Sequence, residues 1–293
     1  MEGISLGHRS KNVQKLITAL RSTLAPEAIS TDSQKNRPFA KDEWPRLQIW
    51  DQMAERALHM PDAVAFPRSE SEIIDVLKLC QTHRIPAIPY GQGNGVCGGT
   101  VPTKGGIIID TKHLQAIGQV DDIDLTIDVE AGVTGNQLEA ALNKQGYTLG
   151  HFPLATRNST VGGWLATRSA GQYSSRYGTV ADIVESLTVV LSNGETLDTN
   201  ELHQLEWNQL ILGSEGTLGV ITKARLRVTP LADAETYRGY RFRTLEAGLL
   251  GIRLLMQSGL RPHLVHLYDP FESLLQSSGE GTSRGGLASG VLT

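Results

Sequence analysis

Cysteine is almost missing from this chain: Cys80 and Cys97 are the only two, they form no CxxC pair, and no disulfide framework can be built on them. That usage suits a reducing compartment, and the cytosol is the expected location. Neither sign of charge dominates. With 27 basic against 31 acidic residues and no long run of either, nothing in the sequence recruits nucleic acid or an anionic membrane. Long apolar runs are missing too: none approaches the roughly 18 residues of a membrane span. Near the start, Glu2, Arg9, Lys11, Lys15 and Arg21 interrupt the apolar positions, which leaves no signal-peptide core. The final "VLT" is no peroxisomal address.

What the sequence does have is enough apolar residue, 40%, to bury a sizeable core, and glycine in clusters. The periodicity predicts a helix over 9–24 with Val13, Leu16, Ile17 and Leu20 on one face, then "STDSQKNRPFAKDEW", which reads as irregular surface chain. "DAVAFP" reads as a short strand, and Ser69 with Glu72 as a capping box opening the helix "IIDVLKLCQTH". The strands "RIPAIP" and "GGIIID" flank a glycine loop, and "LTIDVEAGV" alternates as a half-buried strand. Thr134 and Gln137 cap a helix that Gly146 ends, "ESLTVVLS" and "ETL" flank the turn signal Asn193-Gly194, and "GVITKARLRVTP" keeps one face wet.

Strands mostly joined by turns make this an α+β protein, since a doubly wound sheet would need a helix after nearly every strand. The expected organisation is a helical and irregular lead-in over 1–59, one domain over 60–231, and the beginning of a further unit over 232–293. That unit opens with "ETYRGYRF" and "TLEAGLLGIRLLMQSG" and ends in a Gly/Ser-rich tail, "SSGEGTSRGGLASGVLT", read as a mobile loop or frayed end.

The glycine loop, "PYGQGNGVCGG", spells Gly93-x-Gly95-x-x-Gly98. It is not a Rossmann turn. That turn needs a helix N-terminus behind its third glycine, whereas Pro102 and Gly105-Gly106 forbid a helix here and a strand follows. Two readings stay open: a flexible hairpin turn, or an anion nest whose successive N–H groups face a phosphate. "STVGGWLATRSAG" and "GSEGTLGVIT" add two more glycine loops, and three in one domain suggest one long ligand.

In order and spacing, "MPDAVAFPRSESEI", "PYGQGNGVCGG", "TVGGWLATRSAGQYSSRYGTVADIV" and "LILGSEGTLGVITKARLRVTP" resemble the vanillyl-alcohol oxidase and p-cresol methylhydroxylase family of FAD-linked oxidases. The resemblance runs from about Asp42 to Pro230. Within the family, "VEAGVTGNQLEAAL", "GYTLGHFP", "STVGGWLATRSAG" and "GSEGTLGVIT" look most like the alkylglycerone-phosphate synthase branch, and flavin-linked D-lactate and glycolate dehydrogenases share the last of these.

The resemblance implies a two-subdomain FAD-binding domain of the p-cresol methylhydroxylase type, followed by the start of a substrate cap. It implies FAD contacts from Pro89, Tyr90, Gly91, Gln92, Gly93, Asn94 and Gly95 in the first loop. In the second it implies Leu154, Thr156, Ser159, Thr160, Gly162, Gly163, Thr167, Arg168 and Ser169, and in the third Glu215, Gly216, Thr217, Leu218, Gly219, Val220 and Ile221. Ser159, Thr160 and Thr167 could donate to flavin or phosphate oxygens. Some relatives attach the flavin through a histidine, where this chain has Asn94, and others through a cysteine near the second loop, where it has none. Noncovalent FAD is therefore expected, with Cys97 as a small buried residue.

Two departures limit what carries over. The branch's arginine ahead of the third loop has no counterpart in "DTNELHQLEWNQLIL". The relatives also run on to complete the cap and return catalytic tyrosine or histidine residues, so this chain is expected to stop inside the cap, as a fragment or with another polypeptide supplying the rest. No catalytic residue is assigned. His151, Arg157 and Arg168 are candidate acid, base or anion-binding groups, and His263, His266 and Tyr268 alternate as on a strand of the cap, where His263 could equally be an exposed polar position. Three functions follow: an FAD-dependent oxidoreductase, a synthase-like transferase without net redox, or an inactive flavin-binding remnant. The expected partners are a small-molecule or lipid-derived substrate and, in a homodimer, a second copy of the chain.

Overall fold

The structure, a computed structural model, describes residues 6–53, 59–155, 157–201, 206–277 and 289–292. Its first unit is a four-stranded sheet. Strands Ala63–Ala65, Ile107–Asp110 and Ala87–Tyr90 pair in parallel, and Ile29–Ser30 runs antiparallel beside Ala63–Ala65. The "IIID" run is apolar without alternation because both faces of its strand are covered. Ile107 and Ile109 pack with Leu16, Leu20, Ile73 and Cys80 of helices Leu6–Thr23 and Glu70–His83, while Ile108 packs with Phe39 and Tyr90 on the other face. Each of these isoleucines is fully buried, which stabilises the fold by about 1.5–3 kcal/mol apiece. Ser69 caps the second helix as expected, by accepting from Glu72 N at 3.2 Å. The Glu72 carboxylate, however, reaches Arg68 N instead of closing the box on Ser69.

The polar stretch read as irregular surface chain is ordered and partly buried. It forms short helical turns at Ser33–Asn36 and Arg37–Ala40, and Asn36, Phe39, Ala40 and Asp42 are buried. Phe39 covers the sheet edge-on to Tyr90, with ring centroids 4.9 Å apart, while Asn36 and Asp42 are held inside by hydrogen bonds to Ser30 O and from Gly98 N.

The second unit is an antiparallel sheet in the order Thr126–Glu130, Val220–Arg227, Val184–Val190, Thr196–Asp198. Lys223, Arg225 and Arg227 point to solvent, and Arg225 pairs with Asp128 directly across the ladder at 2.9 Å. Helices Gly135–Lys144 and Val161–Thr167 cover the other face, burying Leu138, Leu142, Trp164 and Leu165 against Ile127, Val129 and Leu226. Thr134 and Gln137 form the expected capping box. Val190 and Val220, from this sheet, belong to the core of the first unit, so the two units share packing.

Beyond Pro230, strands Gly239–Phe242 and His266–Leu267 flank Ser289–Leu292, and helix Leu245–Gln257 packs Gly248 and Gly251 against Phe242. The tail thus departs from the expectation of a frayed end: its last four described residues form the middle strand. Strand pairing uses backbone groups, which composition does not report. Residues 278–288 of the tail lie outside the described residues.

Candidate cofactor-binding site

Strand Ala87–Tyr90 runs into the glycine loop, which walls one side of a cleft of about 450 Å³. The second wall is the segment from Ser159 through the helix Val161–Thr167, and the third is the loop from Glu215 into strand Val220–Arg227. All seven expected first-loop residues line the cleft, as do Ser159, Thr160, Gly162, Gly163, Thr167 and Ser169 of the second wall and Glu215, Gly216, Gly219, Val220 and Ile221 of the third. Leu154, Arg168, Thr217 and Leu218 do not line it, Leu154 being almost wholly exposed. Thr156 lies outside the described residues.

The first wall is chemically unfinished. Among the described residues, no backbone N–H from Gly91 to Cys97 donates to a backbone acceptor. Asn94 Oδ1 and Thr100 Oγ1, also in the cleft, are buried without a partner. A buried polar group left in that state costs about 1–3 kcal/mol, and a run of backbone N–H groups without backbone acceptors is the kind of surface that can bind an anion. At Gly93 the backbone turns through φ +72°, and the Tyr90 hydroxyl sits where a side chain would be. Burial, above all, raises the Tyr90 phenol to about 12, so it keeps its proton and can donate.

Most of the second wall's hydrogen bonds close within the protein. Thr160 caps the helix, accepting from Gly163 N at 3.3 Å. The Ser159 hydroxyl donates to Ala155 O at 2.8 Å and accepts from Trp164 Nε1 at 2.6 Å, and Thr167 Oγ1 donates to Gly163 O at 2.9 Å. This corrects the expectation for Ser159 and Thr167: each has one hydroxyl hydrogen, and it is committed inside the wall. The third loop is tied to the same helix, with Gly213 N and Glu215 N donating to Leu165 O and Ala166 O, which satisfies carbonyls at its C-terminal end. Glu215 adopts a left-handed φ of 50° to do so.

His151 stands one layer behind the cleft. Its Nε2 meets Ser169 Oγ at 2.9 Å, its ring is edge-on to Trp164, and its Nδ1 is buried without a partner. Burial lowers its pKa to about 4, so at neutral pH it is an uncharged imidazole and not an acid. Arg157 and Arg168 are exposed and outside the lining. His263 is half-buried rather than exposed, because its Nε2 lies 2.6 Å from the Tyr177 hydroxyl. It faces a second cavity of about 630 Å³ between Arg176 and residues 234–264. His266 lies on the strand His266–Leu267, and its ring lies 5.2 Å from that of Tyr268.

The sequence reading missed Asp42, Val96, Thr100, Thr111 and Trp164, all of which line the cleft. A Trp two places after Gly162 was a visible signal, but Asp42 in a polar stretch was not. Cys97 also lines the cleft and is exposed, which overturns its reading as a buried residue. Asp42 and Trp44 already pack against the loop at Gly98 and leave the thiol turned out.

Residues 61–200 match the family model described as FAD binding domain. The chain is 33% identical over 221 residues to an alkyldihydroxyacetonephosphate synthase from Dictyostelium discoideum, covering 73% of this chain and 36% of that protein. It is 36% identical over 181 residues to glycolate oxidase subunit GlcD of Bacillus subtilis, covering 60% of this chain and 38% of that one. A solved alkyldihydroxyacetonephosphate synthase superposes with a TM-score of 0.85 at 28% identity, covering 91% of this chain and 50% of its own. The chain thus spans from about a third to half the length of these relatives. It belongs to the FAD-linked oxidase family, and FAD is the cofactor its domain is built for. Among the described residues, no helix is long and apolar enough to cross a membrane.

Proposed function

We propose that the chain is the FAD-binding part of an oxidoreductase that holds FAD noncovalently across the three-walled cleft and oxidises a hydroxy compound. The observation that carries this is the first wall, with its unpaired N–H groups from Gly91 to Cys97 and the orphaned Asn94 Oδ1. FAD, when bound, supplies the redox chemistry by accepting a hydride, which leaves the protein to place the cofactor and tune its surroundings. The first-loop amides would hold the pyrophosphate, and Asn94 Oδ1 and Thr100 Oγ1 would meet polar groups of the ligand. Ala166, Gly216 and Val220 supply apolar surface for a flat ring. No histidine lines the cleft among the described residues, which supports the noncovalent reading. Free thiols at Cys80 and Cys97 agree with the cytosol as the proposed location.

A second reading is favoured by the superposition on the synthase: a transferase in which an acyl chain is exchanged for a fatty alcohol without net redox. The remnant reading, a flavin-binding piece without activity of its own, is the third. Purified protein, saturated with FAD, is incubated with hydroxy acids while the flavin absorbance is followed, and separately with acyl-dihydroxyacetone phosphate plus fatty alcohol. Bleaching by a hydroxy acid supports the oxidoreductase. Ether-lipid product without bleaching replaces it with the transferase, and neither result in a chain that binds FAD leaves the remnant.

A further inference from the structure

The lead-in segment does more than precede the cofactor domain. Asp42 is 2% exposed, lines the cleft, and accepts from Gly98 N at 2.7 Å through Oδ2 and from Trp44 N at 3.0 Å through Oδ1. The next residue binds the loop from the opposite polarity: Glu43 N donates to Gly95 O at 2.9 Å. The Trp44 ring then closes on Gly98, where an added Cβ would lie 3.2 Å from it, and the Arg46 guanidinium sits over that ring. Three consecutive residues, about fifty positions from the loop in sequence, thus grip it at Gly95 and Gly98.

What they leave alone is equally informative. The grip takes one N–H, that of Gly98, and one carbonyl, that of Gly95, while the N–H groups from Gly91 to Cys97 are left without a backbone acceptor. A five-glycine segment without such ties would lose its conformation to chain entropy, and any ligand would have to order it on binding. We propose that Asp42 is a positioning residue for the cofactor: its carboxylate, with Glu43 N and Trp44, fixes the glycine loop so that its unpaired N–H groups face the FAD phosphates before FAD arrives. This rests on the reading of the cleft as the FAD site.

The test uses the full chain, freed of flavin, as wild type, Asp42→Ala, Asp42→Asn and Trp44→Ala. FAD affinity is read by titration calorimetry, thermal stability without FAD by melting, and loop order by amide hydrogen exchange over 90–100. Losing a charged acceptor in a preorganised loop predicts at least about tenfold weaker FAD binding for Asp42→Ala, a smaller loss for Asp42→Asn, and faster exchange concentrated at the loop. Melting of the free protein is expected to shift by only a few degrees. FAD affinity in Asp42→Ala within twofold of wild type would overturn the proposal, as would unchanged exchange at the loop. If Asp42→Ala does not fold, Trp44→Ala decides by the same two readouts. A wild-type chain that fails to bind FAD strikes down the reading of the cleft itself, and the clamp with it.

Discussion

The first and second walls of the cleft contain the same letters, glycines among small polar residues, and differ in what their hydrogen bonds leave over. In the first, a Cβ at Gly95 would meet nothing nearer than Asp42 Oδ2 at 3.4 Å, while Gly91, Gly93 and Gly99 lie against the side chains of Thr160, Tyr90 and Glu215, and the N–H groups from Gly91 to Cys97 have no backbone acceptor. In the second, glycine lets protein touch protein: a Cβ at Gly162 would lie 2.8 Å from the Ala131 Cβ and 3.1 Å from its carbonyl oxygen. A glycine cluster therefore marks close approach, and only the state of the surrounding hydrogen bonds tells whether the approaching body is a ligand or another part of the protein.

The sharpest way to break this contrast is at Gly162. Replacing Gly162→Val forces the helix Val161–Thr167 away from Ala131, just beyond strand Thr126–Glu130, and urea titration is expected to show a loss of up to about 3 kcal/mol. His151, packed behind that wall, gives an effect of similar size that depends on pH. Its pKa falls from 6.5 in the unfolded chain to about 4 in the fold, so below 6.5 the unfolded state takes up a proton that the folded state refuses. The stability present above pH 6.5 is lost as pH falls toward 4, by about 3 kcal/mol. Urea titrations of wild type and His151→Gln at pH 7 and pH 4 isolate this share, because the variant lacks it.

How much of this was legible follows from the same residues. The capping box at Thr134, the Asn193-Gly194 turn and the wet face of "GVITKARLRVTP" are written in neighbouring residues, and the structure contains all three. The three loops were legible as glycine clusters, and their meeting in one cleft followed from the family resemblance. Asp42 was not legible, because its partner Gly98 is 56 positions away and nothing local requires a carboxylate there. Nor was the spending of Ser159 and Thr167, whose hydroxyls bond to carbonyls four residues earlier. A hydroxyl in a motif looks the same whether its hydrogen is free or committed.

Smaller effects refine the comparison. Thr160→Ala removes the cap from the second-wall helix and is expected to cost about 1 kcal/mol in the same titration. Gly95→Ala, in the open first wall, is expected to change unfolding free energy by less than about 0.5 kcal/mol while weakening FAD binding in calorimetry. Equal stability losses at Gly95 and Gly162 would erase the distinction between the walls.

Noncovalent binding of FAD at the first wall, as proposed above, is open to a simple test. The most direct measurement is the visible absorbance of the purified chain, saturated with FAD and separated from excess, before and after acid precipitation. Flavin bands present in the native protein are expected to pass entirely to the supernatant. Colour retained in the pellet, with Cys97 exposed in the cleft as the available nucleophile, would contradict noncovalent binding. Absence of flavin from the native protein after saturation would contradict the site.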